Sequence, residues 1–367
     1  MANKRKLIIL TAGGTGGHIY PAEALARRLK ERGYELIFIT DKRGLNNYHG
    51  TLSQIKNIPV LSGPLMGKSK LTRLTSLIKL ALGLIQSTFI LLKYHPLCIV
   101  GFGGYASFPC CVAAILLKKK LVLHEQNSVM SRTNRFLAKY ATLIATSFSQ
   151  TKYLNKSLPN IHCGMPVRES ISQLFNQTYT PPKANENFHI LILGGSQGAK
   201  VFSQTVPAAI KLLSPEDQKK LNITQQCRQD DIENLHKEYQ NIPCQITISS
   251  FFNNMPEIYA KTHLVISRSG ASSVTEIAAA GIPAIFVPLP TAADDHQNTN
   301  AKPYHECNGA ELIPQNDFSP QKLADVIKDI LSHPQKLKTY SDNMKKIAII
   351  DADTKLADAV ENICSRG

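Results

Sequence analysis

At 367 residues with 43% hydrophobic side chains, the chain is long enough for two domains with cores of their own, which excludes a small disulfide-stapled module and a disordered chain. Its formal charge of +15 is lopsided: residues 1–170 hold 24 Lys and Arg against 6 Asp and Glu, while residues 171–367 hold 18 against 21. A merely soluble lysine-rich surface would spread that charge evenly, so a surplus of 18 in one half points to an anionic partner there: nucleic acid, anionic lipid or a polyphosphate.

Eight scattered cysteines without a CxxC pair, and no basic-then-apolar leader, fit reduced thiols in a cytosolic compartment. The chain opens on an apolar run predicted as a strand at 7–11. A loop with four glycines, GGTGG at 13–17, follows, then His18 and a helical pattern. Further strands are predicted at 35–39, 97–101, 121–123, 142–146, 189–193, 245–248, 263–267 and 284–287, with helical patterns between them. Several are apolar at consecutive positions, as strands covered on both faces are. The expected class is α/β, doubly wound, with parallel sheets.

Between the second and third of these strands lies the most apolar stretch, 71–92. It has nearly transmembrane length, but Arg73, Lys79 and Gln86 interrupt it and Gly83 weakens it. Leu74, Leu77, Ile78, Ala81, Leu82 and Ile85 share one helical face, and Lys68, Lys70, Arg73 and Lys79 lie at or near its start. An amphipathic segment lying on a membrane surface fits this better than a span; a buried core helix is the competing reading. Nearby, SGPLMGKS at 62–69 falls one residue short of a phosphate-binding P-loop.

Residues 176–187, polar with two prolines and no periodicity, read as a linker. After them GGSQG at 194–198 repeats the layout of GGTGG at 13–17: a strand, a glycine loop, a helix. GFGGYAS at 101–107 and SRSGASS at 267–273 make four such loops. Backbone N–H groups at helix N-termini bind anions, and missing side chains let phosphate approach them. Four loops in two half-domains therefore predict a phosphate-bearing ligand in a cleft at the strand ends. GFGGYA lacks the acid that a dinucleotide fold places about 20 residues on, which disfavours a nicotinamide dehydrogenase. Asp294, Asp295 and His296 lack a fourth ligand, so no metal is expected. Arg268 could face phosphate or the surface. Glu276, early in a helix, could complement the helix dipole or accept both hydroxyls of a ribose.

The blocks TAGGTGGHIYPA, GFGGYASFP, LHEQNSV, GMPVR, GGSQGA, SRSGASSVTEIAAAGIPAIFVP and DDHQNTNA, in this order from residue 6 to residue 301, resemble the MurG family, the N-acetylglucosaminyltransferases of peptidoglycan synthesis. The resemblance implies a GT-B fold: two Rossmann-like parallel-sheet domains with a cleft between them. These would be an acceptor- and membrane-facing domain at 1–170, joined by a C-terminal helix at 350–364, and a UDP-sugar domain at 171–349. It implies UDP-N-acetylglucosamine as donor and lipid I as acceptor. The transfer would be inverting and metal-independent, with no cofactor, forming the β-1,4 bond of lipid II. The enzyme would be peripheral, on the anionic cytoplasmic face of the bacterial inner membrane. The donor-binding positions fall on Thr15, Gly16, Gly17, Asn127, Arg168, Ser196, Phe252, Ala271, Ser272, Ser273, Val274, Thr275, Glu276 and Gln297. His18 and Tyr105 fall on the acceptor side, with His18 as catalytic base or acceptor-binding residue. Met165 departs from the family's usual Asn, His296 from a second Gln, and Phe252 from an aliphatic. A sugar-nucleotide epimerase of the same fold would leave HEQN and the basic amphipathic stretch unexplained. A non-catalytic nucleic-acid or lipid binder would leave Glu276, Gln297 and the second glycine loop unexplained, so nucleic acid is not an expected partner.

Overall fold

The computed structural model describes residues 6–42, 50–63, 70–183, 186–195 and 199–365, with side chains except at 70–72. The chain forms two compact units. The first comprises residues 1–168 together with 349–367, and the second comprises residues 169–348.

The first unit is built on seven parallel strands: β1 (Leu7–Thr11), β2 (Glu35–Thr40), β3 (Lys56–Pro59), β4 (Cys98–Gly101), β5 (Leu121–Glu125), β6 (Leu143–Thr146) and β7 (Asn160–His162). Their order is β3-β2-β1-β4-β5-β6-β7. The central strands are apolar throughout because helices cover both faces; Ile8, Ile9 and Leu10 are fully buried. The direction of the strand order reverses between β1 and β4, where Thr11 pairs Gly101. One face is closed by helices Gly16–Glu31 and Ala352–Ser365, the second returning from the far end of the chain. Leu356, Ala357, Val360 and Ile363 join Leu25, Ala26 and Leu29 in that core. At its edge Arg27 and Arg28 reach one oxygen of Asp353, at 2.9 and 3.0 Å.

The second unit carries six parallel strands: β8 (Phe188–Leu193), β9 (Leu221–Gln226), β10 (Gln245–Ser249), β11 (Leu264–Ser267), β12 (Ala284–Phe286) and β13 (Ala310–Leu312). Their order is β10-β9-β8-β11-β12-β13, with the reversal between β8 and β11. The four glycine loops therefore follow the four strands at the two reversal points, where open α/β sheets leave crevices at their carboxyl ends.

Nine strands lie where the apolar runs predicted them. The other four, β3, β7, β9 and β13, are short, at an edge, or alternate buried and half-buried residues as β9 does. The segment read as a linker has no helix or strand among its described residues beyond Asn176. It belongs to the second unit rather than bridging the two. Tyr179 packs on that unit's core, and its hydroxyl donates to the His263 carbonyl at 2.9 Å.

Helix Lys70–Tyr94 in the first unit is built inside out. Its inward face carries Ser76, Gly83, Ser87 and Leu91, all buried. The large side chains Leu74, Leu77, Ile78, Leu82, Ile85, Phe89 and Leu92 stand 45–68% exposed. Gly83 sets the fit: a Cβ there would lie 1.9 Å from the Leu61 carbonyl oxygen. Gln86, which interrupts the apolar run, accepts the Leu61 N–H at 2.9 Å. The buried-core-helix reading fails for this face. Arg73 and Lys79 are also exposed; Lys68 lies outside the described residues.

Candidate active site

At the reversal point of the first unit the loops after β1 and β4 touch backbone to backbone. The Gly13 N–H donates to the Gly103 carbonyl at 2.8 Å. A Cβ on Gly104 would sit 2.6 Å from Gly13 Cα, and one on Gly13 would sit 2.9 Å from Gly104 Cα. Gly103 and Gly104 also have φ near +80°, a conformation that side chains resist. These glycines make room for the ring of His18, whose Cδ2 lies 3.3 Å from the Gly104 Cβ position.

His18 is the third residue of helix Gly16–Glu31 and is half-buried. Its pKa is held below the ordinary 6.5, first by burial, against smaller raising effects of hydrogen bonds with Gln126 and the Phe102 backbone. The imidazole is therefore neutral near pH 7, with one ring nitrogen open to a proton. Desolvation is the leading cause.

HEQN, at the end of β5, divides its side chains by the alternation of a strand. His124 and Gln126 project toward His18. Gln126 lies 3.3 Å from His18 Nδ1, and its amide nitrogen lies 3.1 Å from His124 Nδ1. His124 is fully buried, and burial pushes its pKa down to about 4. Glu125 points the other way. Its carboxylate accepts the N–H groups of Asn127 and Ser131 and the Asn134 amide, at 3.0, 2.9 and 2.8 Å, fixing the loop that presents Asn127. Burial raises the Glu125 pKa while those bonds oppose the rise. His124, Glu125 and Gln126 were not singled out from sequence. The signal was three polar residues directly after an apolar strand.

Other predicted positions surround this point in the chain. Thr15 caps the His18 helix through its carbonyl, which accepts the N–H groups of His18 and Ile19. Gly16 lets the Tyr20 ring come within 3.0 Å of its Cβ position, and Arg168 stacks 4.7 Å from the centre of that ring. Gly17 follows half-buried, and Tyr105 is 48% exposed between β4 and helix Ser107–Leu116. Met165 is fully buried, where an Asn would need hydrogen-bond partners.

In the second unit helix Ala271–Ala280 starts at the end of β11, capped by Gly270. Ala271, Val274, Thr275 and Glu276 are buried and Ser272 and Ser273 half-buried. The Thr275 hydroxyl is used internally, donating to the Ala271 carbonyl at 2.8 Å. Gln297 accepts the Leu289 N–H at 2.9 Å, fastening the loop after β12. Asn300, fully buried, donates to the Ser269 carbonyl at 3.2 Å. Ser269 Oγ is buried without a hydrogen-bond partner among the described residues. Phe252 is half-buried after β10, and Ser196 lies outside the described residues. Arg268 is buried rather than turned to the surface. Its guanidinium turns inward to the carbonyls of Val287 and Pro288 at 2.9 and 3.0 Å, and lies 5.2 Å from the Phe202 ring centre. A charge that binds neighbouring loops in this way is structural.

The donor-side positions are thus divided between the units. Of the positions expected on the donor side, Thr15, Asn127 and Arg168 belong to the first, Glu276 and Gln297 to the second. Among the described residues no three His, Cys, Asp or Glu side chains gather as a metal site, and His296 is engaged with the Ala293 carbonyl at 2.8 Å.

Residues 8–146 match the glycosyltransferase family 28 N-terminal domain and residues 189–362 its C-terminal domain. A relative from Paramagnetospirillum magneticum is 42% identical over 362 residues, covering 98% of this chain and 97% of its own. One from Rhodospirillum rubrum is 44% identical over 353 residues, covering 96% and 91%. Both are named UDP-N-acetylglucosamine--N-acetylmuramyl-(pentapeptide) pyrophosphoryl-undecaprenol N-acetylglucosamine transferase. The crystal structure of Acinetobacter baumannii MurG superposes with a TM-score of 0.77 at 28% identity, covering 97% of this chain and 99% of that one. A Neisseria meningitidis UDP-GlcNAc 2-epimerase superposes with a TM-score of 0.67 at 14% identity over 97% of this chain and 100% of its own, a likeness of fold alone. Two Rossmann-like parallel sheets of this kind are the GT-B fold. Matched in both halves, and more than 40% identical to relatives over nearly its whole length, the chain belongs to glycosyltransferase family 28 and, within it, to the MurG N-acetylglucosaminyltransferases.

Proposed function

We propose that the chain moves N-acetylglucosamine from UDP-N-acetylglucosamine to the muramoyl sugar of lipid I, with inversion and without a metal, giving the β-1,4 bond of lipid II. The observation that carries the reading is identity of 42% across 98% of the chain with a relative named for this transfer. In the reaction the acceptor hydroxyl attacks the anomeric carbon, the bond to the β-phosphate breaks, and UDP leaves with the electron pair. His18, neutral and framed by glycine backbone, takes the proton of the attacking hydroxyl. Tyr105 serves the acceptor side. Thr15, Gly16, Gly17, Asn127 and Arg168 serve the donor, with Arg168 and the N–H groups of the glycine loops offsetting charge on the departing diphosphate. Glu276 accepts the ribose hydroxyls, and Ser196, Phe252, Ala271–Thr275 and Gln297 complete the donor site. The test is to incubate the protein with UDP-N-acetylglucosamine and a lipid I analogue in the presence of a chelator. Release of UDP with a disaccharide product is expected. No product, or product only on adding a divalent metal, rejects the corresponding part of the proposal.

The acceptor's lipid tail stays in the bilayer, so the enzyme works at the cytoplasmic surface of the inner membrane. The outward apolar face of helix Lys70–Tyr94 and the exposed Arg73 and Lys79 suit anionic headgroups, each cation adding about 1 kcal/mol. Changing Leu77 and Ile78 to Ser and Arg73 to Glu alters only exposed positions. The variant should stay in the supernatant when anionic vesicles are sedimented, and should still bind UDP-N-acetylglucosamine. Undiminished sedimentation places the contact elsewhere.

A further inference from the structure

The His18 base proposed above needs its lone pair on one particular ring nitrogen, and the environment of Gln126 decides which. The side-chain nitrogen of Gln126 lies 2.8 Å from the Phe102 carbonyl oxygen and 3.1 Å from the His124 carbonyl oxygen. Only the NH2 end can face two carbonyls. The opposite orientation would set three oxygens against one another with no proton among them. The amide is thereby locked, and its Oε1 is the end that faces His18 Nδ1 at 3.3 Å. An amide oxygen only accepts, so Nδ1 must carry the proton. In a neutral imidazole Nε2 is then left with the lone pair.

We propose that Gln126 is a positioning residue that fixes His18 as its Nδ1–H tautomer and so leaves Nε2 as the atom that takes the acceptor's proton. A second link backs the first. His124 Nε2 lies 3.4 Å from the Gly164 carbonyl oxygen, which calls for a proton on that nitrogen and leaves His124 Nδ1 to accept from the Gln126 amide at 3.1 Å. The chain Gly164–His124–Gln126–His18 runs in one hydrogen-bond direction through residues that are all buried up to the last. When Nε2 gains the proton, Nδ1–H still donates to Gln126 Oε1. The imidazolium therefore forms without any group in the chain turning. The arrangement does for His18 what a buried carboxylate does in a triad, with a neutral acceptor that does not stabilise the charged ring in advance.

The catalytic consequence rests on the base reading of His18; the tautomer itself does not. Two variants separate them. Gln126→Met keeps the volume and removes the acceptor. Gln126→Glu, with its carboxyl protonated on the oxygen that faces the two carbonyls, keeps an acceptor oxygen toward Nδ1. The tautomer is read on the full-length protein labelled with 15N-histidine, by long-range proton–nitrogen correlation, with His18 assigned by its disappearance in His18→Gln. The expected result is a protonated Nδ1 in the native protein, loss of that preference in Gln126→Met, and its retention in Gln126→Glu. In parallel, Gln126→Met should lower kcat about tenfold or more with KM for UDP-N-acetylglucosamine within about twofold, and Gln126→Glu should recover part of the loss. A native protein with the proton on Nε2 overturns the proposal, as does a Gln126→Met variant with an unchanged His18 spectrum. If the spectra behave as expected but His18→Gln keeps full kcat, the base reading falls while the role of Gln126 in setting the tautomer stands.

Discussion

The two reversal points use glycine for opposite reasons. In the first unit the glycines are crowded: Gly13 and Gly104 exclude any Cβ because each backbone lies against the other and against His18. In the second, a Cβ at Gly195 or Gly270 would meet nothing within 4 Å among the described residues. Gly195 needs glycine for its φ of +79°, but Gly270, at φ −62°, does not. The crowded glycines frame the ring of His18, and the uncrowded ones leave open space beside the backbone. On the function proposed above, the same sequence signature would mark machinery in one unit and a binding surface in the other.

The sharpest way to break this contrast is His18→Ala. It should lower kcat by roughly 10²–10⁴-fold if the crowded site holds the base, with the calorimetric Kd for UDP-N-acetylglucosamine unchanged. In the native enzyme kcat should fall on the acid side with an apparent pKa under 6.5, because burial lowers the imidazole and protonation removes the lone pair. A rise confined to acceptor KM would make His18 a binding residue instead. Next in size, Gly104→Ala combines a positive φ with a backbone clash at 2.6 Å. A loss of about 3 kcal/mol in denaturant unfolding is expected, and an unchanged midpoint would show that the two loops can separate freely. In the second unit Glu276→Ala should weaken donor binding by about 1.5–3 kcal/mol, roughly ten- to a hundredfold in Kd. An unaltered Kd removes the ribose role. The smallest effect on the fold belongs to Gly270→Ala: stability within about 0.5 kcal/mol, yet a raised KM for UDP-N-acetylglucosamine. If both stay constant, ligand does not approach the backbone there.

The sequence made the central strands and the glycine loops plain, because burial on both faces forces continuous apolar runs and the crowded or positive-φ positions of the loops accept only glycine. It hid β9, whose pattern LNITQQ buries only alternate residues, and the edge strands β7 and β13, of whose residues only Ala310 is buried, so that neither carries an apolar run. Asn127 was legible by likeness to a family, but Gln126 beside it was not. Its proposed role rests on the Phe102 carbonyl, which chain order does not bring near it, and on His124, which the Gly164 carbonyl orients. Arg268, open in the sequence between phosphate and the surface, is settled inward by its partners Val287 and Pro288, some twenty residues on. The outward face of helix Lys70–Tyr94 was written in its spacing, but the choice between core and surface needed Gly83 and its contact with Leu61.

The return of helix Ala352–Ser365 to the first unit has a consequence for biosynthesis. A ribosome that has delivered residues 1–168 has not delivered the side chains of Leu356, Val360 and Ile363 that close this core. The 180 residues Glu169–Ala348 must be made first, which at 5–20 residues per second takes about 9–36 s. During that interval the nascent first unit exposes both the unfinished core face and the outward leucines of helix Lys70–Tyr94. The second unit has all its strands before the chain ends and is free to fold ahead of its elder neighbour. The order of synthesis and the order of completion are thus reversed.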